Sequence, residues 1–486
     1  MFVFCKITSN SSFLSRLSHG PVRRMKEEKG MKSASLQKKL LPRHISLMAM
    51  GGAIGTGIFK GSAETVSIAG PAIIFTYLFA GLLLLVVMGA IAEMAIVYPG
   101  TNMKGFVQKA FGKRVSFVVG WYYCFMWLAV CVIEIVVAGS FLQYWLPAIP
   151  LWELSLGCAA LVIGINLMNV KNYGEFEFWF AGIKIVMIMV FIVLGACILF
   201  GIIPSDKSNY LQNFTRHGGF LPNGWMSIFS ALIIVMFSYG GSELIGLTVP
   251  EVKDAERILP KVIKSFILRI VLFYTLPIII ICGLIPWNEV SHQASPFVQV
   301  LSMSGLQGAA HIMNFILITA VLSAANSGIY GCTRMLHSLA AEGEAPKSFS
   351  YVTKKGVPIY SLILTAVVIL GGSLVAFVAQ DKVFLLLMAV PGFVVSVVWI
   401  SICLAQLKLR KSYPIEPSFK LRGFPYVTAT AAAALTILVV IFMLNEQNRV
   451  SIITCLVVLA FLFIISIFKF KNEDVKVTKI EEENIV

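Results

Sequence analysis

Apolar residues fall along this chain in long blocks, not at a steady helical or strand period. Twelve apolar stretches stand between short polar segments: 44–67, 71–97, 115–143, 152–170, 175–202, 225–249, 260–285, 306–338, 358–379, 382–407, 424–444 and 448–468. About 20 apolar residues cross a bilayer as a helix. The pattern therefore predicts an all-α polytopic membrane protein with 12 transmembrane helices. Residues 1–43 and 469–486 read as polar tails, 44–407 as a ten-helix core, and 408–468 as two additional helices. Asn102–Phe111 and Pro296–Met303 read as short amphipathic stretches outside the spans, with plain loop as the alternative.

Two spans are interrupted in the same manner. Gly51-Gly52-Ala53-Ile54-Gly55-Thr56-Gly57 puts four glycines into seven residues of the first, and Ser238-Tyr239-Gly240-Gly241-Ser242 interrupts the sixth. Lipid offers backbone groups no water, so an opened helix is tolerable there only where it lines a cavity or holds a ligand. An odd number of crossings separates the two breaks. The chain thus divides into two five-helix halves of opposite orientation, an inverted 5+5 repeat with two helices outside it. Paired breaks of this kind point to secondary transport.

The two openings have opposite polarity. At Gly55-Thr56-Gly57 a half-helix begins, and its freed N–H groups suit a carboxylate. Packing of small residues between helices is the competing use, but glycines at 51, 52, 55 and 57 cover several faces, not one. Where the sixth span opens after Phe237, exposed carbonyls suit a cation such as an ammonium. One small zwitterion, an amino acid, fits both. The expected substrate-binding set is Ala53, Ile54, Gly55, Thr56 and Gly57 with Phe237, Ser238, Tyr239, Gly240 and Gly241.

Charges at membrane depth are costly and mark function or anchoring. Lys184 and Glu243 are the candidate proton-coupling residues; the Lys184 ammonium can also occupy the place of a coupling sodium ion. Glu93, Glu134 and the small polar run containing Ser323, Asn326 and Ser327 are candidate pathway residues or helix contacts.

Composition narrows the field. At 58% hydrophobic and 13% charged residues, with mean hydropathy +0.86, an ordinary soluble domain is excluded. The net charge of +15 concentrates in alternate loops. That is the positive-inside pattern; it predicts a multi-pass plasma-membrane protein with both termini cytoplasmic, and no nucleic-acid partner. Nine cysteines and six histidines show no metal-ligand or disulfide spacing. Phosphate-loop, nucleophile-elbow and His-Glu-x-x-His motifs are absent, so neither ATP hydrolysis nor enzyme chemistry is expected. No metal or other cofactor is expected. Met25 and Met31 offer alternative starts ahead of the first span.

Several motifs together resemble the bacterial amino acid permeases of the amino acid–polyamine–organocation superfamily, in particular its amino acid transporter family. They are Arg43-His44-Ile45 leading into the first glycine run, Ala69-Gly70-Pro71, Glu93-Met94 and Pro99, then Glu175-Phe176-Glu177-Phe178-Trp179-Phe180 with Lys184. Phe237 to Glu243 and Ser323 to Tyr330 complete the likeness, which runs from about residue 38 to 468. The resemblance implies the leucine-transporter-type fold. It implies a substrate carboxylate on the backbone of Thr56 and Gly57, an ammonium on carbonyls of Ala53, Phe237 and Gly240, and the Phe237 ring as gate. It also sets Lys184 at the sodium position of proton-coupled relatives. Import of a neutral L-amino acid with a small or hydroxyl side chain, by proton symport in place of sodium coupling, follows by analogy. Proton-independent exchange and a non-transporting amino acid receptor remain the alternatives.

Overall fold

The computed structural model describes residues 54–168, 170–203, 210–248, 263, 268–291, 295–303, 305, 308–353, 356–378 and 382–471. Every regular element among them is helical. In chain order the α-helices are α1 (Thr56–Phe59), α2 (Gly61–Ala69), α3 (Ile73–Val97), α4 (Met103–Leu142), α5 (Leu151–Asn166) and α6 (Val170–Leu199). They continue as α7 (Trp225–Tyr239), α8 (Leu244–Thr248), α9 (Leu276–Leu284), α10 (Pro296–Ser302) and α11 (Ala309–Ala341). The last are α12 (Ile359–Val378), α13 (Lys382–Leu409), α14 (Tyr426–Leu444) and α15 (Arg449–Lys469).

Among the described residues, seven helical stretches are long and apolar enough to cross a membrane, and four shorter apolar helices accompany them. The stretch Gly61–Val97 counts as one but contains two helices. They meet at Gly70, whose φ of +60° favours glycine, and Pro71, which has no N–H to continue a ladder. Both amphipathic segments are helical. The first opens α4 with the Asn102 side chain capping Gly105 N–H at 2.9 Å, and Gly112, at φ +82°, bends it away from the span that follows. The second is α10, capped by Ser295.

Glycines let helices approach closely at two crossings in the bundle. The α11 helix lies along α4, and a Cβ at Gly328 would sit 2.7 Å from Cys131 Sγ. The Cys131 thiol in turn reaches the Ala325 carbonyl at 3.6 Å. In α13, which contains Pro391, Gly392 comes against α7 so closely that an added Cβ would collide with the Ile233 carbonyl oxygen. Small residues serve this purpose where lipid removes the hydrophobic drive between helices.

The end of the bundle rich in lysine and arginine is pinned by ion pairs. Buried Lys104 meets Glu342 and Glu344 at 2.7 Å each, joining the start of α4 to the turn after α11. Burial pushes the Glu344 carboxyl up from its ordinary value, and the Lys104 ammonium opposes that shift. Glu93, near the end of α3, accepts from Arg410 at 3.0 Å and from Leu421 N–H at 2.8 Å.

The Gly392 contact can be tested against an open control. Gly392→Ala is expected to lower stability in detergent by about 1–3 kcal/mol, because a backbone carbonyl cannot yield to the added methyl. Gly371→Ala, with nothing within 4 Å, is expected to be neutral or stabilising. Equal thermal unfolding of the two variants would show that α13 does not depend on that approach.

Candidate substrate and coupling site

The site begins with two helices that stop inside the bundle. Residues Ile54 and Gly55 are non-helical, Gly55 being extended, and α1 starts at Thr56. Gly51, Gly52 and Ala53, the first part of this break, lie outside the described residues. The second break falls later than the sequence suggested. Helix α7 continues through Ser238 and Tyr239, and the chain opens only at Gly240, which is extended, and Gly241, at φ +98°. Tyr239 holds the helix on because its side chain is committed elsewhere. Its hydroxyl donates to the Tyr77 carbonyl at 2.9 Å and its ring lies 4.4 Å from that of Tyr274.

The two half-helices touch. A Cβ on Gly57 would stand 2.5 Å from Ser238 Cα, so only glycine permits this crossing. Around it, Gly55, Gly57, Phe237, Gly240 and Gly241 share a cavity with Met126, Trp127, Val130, Glu134 and Pro391. The free space is about 10 Å³, room for one water.

The half-helix start at Thr56 already holds a carboxylate, that of Glu134 from α4. Thr56 N–H lies 3.1 Å from both of its oxygens, and the Thr56 hydroxyl donates to it at 2.6 Å. Glu134 is buried, and a Cβ on Gly55 would fall 2.6 Å from its Oε1. The exposed donors of an interrupted helix thus receive an anion from within the protein. The other break is closed likewise. Glu243 accepts from Gly241 N–H at 3.0 Å and from the Tyr123 hydroxyl at 3.2 Å, tying the opened segment to α4.

Lys184 is fully buried on α6 and donates to the Ile54 carbonyl at 3.0 Å, so its ammonium meets the first break directly. It lies within electrostatic reach of two carboxylates, Glu177 and Glu134. Glu177 is itself buried and accepts from Ser323 at 2.7 Å and from Asn326 at 3.4 Å. Ser327 is buried beside the same carboxylate. Asn166, on α5, donates to the Asn326 side-chain carbonyl at 2.7 Å.

Of the residues singled out from sequence, the described ones of the two breaks converge, Tyr239 excepted, and Lys184, Ser323 and Asn326 join one polar network beside them. Glu93 stands apart, in the helix contact with Arg410. Glu177, Asn166, Tyr123 and Trp127 were not singled out for a role. Glu177 looked like the edge of a span starting near 175, whereas α6 begins at Val170 and carries it two turns inward. Among the described residues no cluster of His, Cys, Asp or Glu could hold a metal ion.

The model of the family described as "Amino acid permease" matches residues 44–479. This chain belongs to the amino acid permease family. The permease is 41% identical over 82% of its length to an "Uncharacterized amino acid permease YvbW" of Bacillus subtilis (strain 168), covering 90% of that protein. It is 35% identical to the same organism's "Gamma-aminobutyric acid permease", over 88% of this chain and 94% of the relative. A "Probable threonine/serine transporter YbxG" from that organism is also 35% identical, over 93% and 99%. Family membership and the apolar helices make the permease a multi-pass membrane protein whose substrate is an amino acid; family members are transporters, not enzymes.

Thr56→Val preserves shape and deletes the hydroxyl bond to Glu134. A hydrogen bond to a charged group is worth about 1.5–3 kcal/mol, so the ligand-free protein should lose stability of that order. Unchanged thermal unfolding in detergent would mean that the hydroxyl does not hold Glu134.

Proposed function

We propose that this permease imports a neutral L-amino acid, with small or hydroxyl side chains favoured, together with a proton. It does so across a bacterial plasma membrane with both termini in the cytoplasm, as 12 helices in a leucine-transporter-type 5+5 repeat plus two. The seven long and four shorter apolar helices, with Gly61–Val97 holding two, support that count.

The observation that carries the reading is Glu134 seated on Thr56. A substrate carboxylate bound to the same N–H group must displace it. Two carboxylates charged side by side at one helix end repel strongly, and adding a proton removes the conflict. Substrate and proton then arrive together. Counted with full charges, Glu134, Glu177 and Lys184 carry a net −1, and a zwitterion adds nothing. One proton per substrate neutralises these three groups in a buried place where an uncompensated charge is expensive, while Glu243 is held separately by Gly241 N–H and the Tyr123 hydroxyl. Lys184, joined to the Ile54 carbonyl at the break, is the group through which that charge change reaches the moving helix. Phe237 closes the cavity over the substrate. The small free space and the apolar lining from Met126, Trp127 and Val130 favour a compact neutral side chain. The relative named as a probable threonine/serine transporter supports the same substrate class.

Uptake of the twenty radiolabelled L-amino acids into proteoliposomes, with and without an inward proton gradient, tests this. A gradient of one pH unit corresponds to about 1.4 kcal/mol per proton and sustains about tenfold accumulation at one proton per substrate. Neutral small amino acids should accumulate under the gradient. Counterflow with no response to the gradient would make the protein an exchanger. Saturable binding without uptake would make it a receptor. Lys184→Ala should abolish accumulation while reducing binding less; undiminished concentrative uptake would remove Lys184 from the coupling.

A further inference from the structure

One buried carboxylate is unused by substrate binding. Glu177 has no exposed surface, lies on α6 two turns before Lys184, and faces α11 through Ser323 and Asn326. Within the described residues, the charge acting on it is that of Lys184 on its own helix; α11 turns only neutral donors towards it. Lys184 in turn feels Glu134 from α4. The geometry sets the lysine between the two carboxylates: Lys184 binds the Ile54 carbonyl two residues before the Thr56 that holds Glu134, and Glu177 lies on the same face of α6 two turns earlier.

The series does not end at Glu177. Asn326 gives its amide N–H to Glu177 and receives one at 2.7 Å from Asn166, which fixes the orientation of the Asn326 amide. Asn166 lines a cleft shared with Tyr330, Thr333, Arg334 and the exposed Met168. Its free volume, about 30 Å³, admits water, and its walls supply the polar partners that water requires. The cleft also takes in Gly356 to Pro358, in the segment after α11 that bears Lys347, Lys354 and Lys355. On the positive-inside pattern this is the cytoplasmic side.

We infer that Glu177 is the proton-release residue, passing the symported proton from the Glu134–Lys184 pair to water in the Asn166 cleft. The inference rests on the proton-symport reading above. As substrate departs, the Glu134 O–H bond breaks and its proton goes to Lys184, while Lys184 yields one N–H proton to a Glu177 oxygen. Lys184 ends as it began, Glu134 regains the charge with which it caps Thr56, and Glu177 becomes a neutral acid. Its O–H bond then breaks to water entering from the cleft, which carries the proton away as hydronium. Asn326 and Asn166 position this carboxyl and do not themselves exchange protons.

The test uses the full chain in proteoliposomes loaded with a pH-sensitive dye, with a labelled mixture of L-alanine, L-serine and L-threonine as probe. If the unaltered protein fails to accumulate the probe under an inward proton gradient, the symport reading falls and this inference falls with it. If it accumulates, Glu177→Gln decides, since the amide retains the shape and most contacts of the acid. Accumulation and dye-reported proton entry should fall about tenfold or more, while counterflow stays within about threefold of the unaltered protein. Glu177→Asp should recover proton entry with a displaced pH profile, which a purely structural contact would not produce. Accumulation equal to that of the unaltered protein in Glu177→Gln overturns the inference. So does loss of counterflow along with accumulation in a variant that unfolds at the unaltered temperature. Should Glu177→Gln not fold, Asn166→Leu takes its place: accumulation lost with counterflow retained supports the route, and both retained overturns it.

Discussion

An opened helix inside a membrane needs partners for its backbone, and the contact between Thr56 and Glu134 meets that need. Water cannot do so at that depth, and a neutral side chain would leave the positive end of the half-helix poorly matched. Placing a carboxylate there stabilises the ligand-free protein, but it also takes the donors on which the proposed function seats an amino acid's own carboxylate. On that proposal, stability without substrate and affinity for substrate compete for the same donors. The remainder of the site can be understood as an answer to that competition: a lysine bound to the adjoining carbonyl, and a second buried acid beyond it.

The scaffold follows the same economy of backbone approach. Gly328 brings the α11 backbone onto the Cys131 and Trp127 side chains of α4, and Gly392 brings α13 onto the main chain of α7 at Ile233, so the walls around the broken helices depend on both. At the basic end, Lys104 with Glu342 and Glu344 fastens α4 to the turn after α11. The two helices that pack along each other through the core are thus also joined at their margin.

Much of this was legible from the residue pattern. Long apolar blocks have few folds open to them, and the clustered glycines at 51–57 and 240–241 marked the breaks because glycine within a span calls for a reason. Lys184 stood out as a cation in an apolar run. What stayed hidden depended on partners distant in sequence. Nothing local to Glu134 indicates that its carboxylate reaches Thr56, 78 positions away. Tyr239 looked like a pocket residue, but its hydroxyl is drawn to Tyr77 on α3. Glu177 was concealed by helix register: a start at Val170 instead of near 175 turns an interfacial acid into a buried one.

The contact of Gly57 with Ser238 carries a steric corollary. Main chain rests on main chain there, so sliding one half-helix past its fellow would first require lifting them apart. Tilting the two as a single lever requires no such separation. A molecule clasped at one end by the first segment and at the other by the second would then keep both handholds throughout its passage.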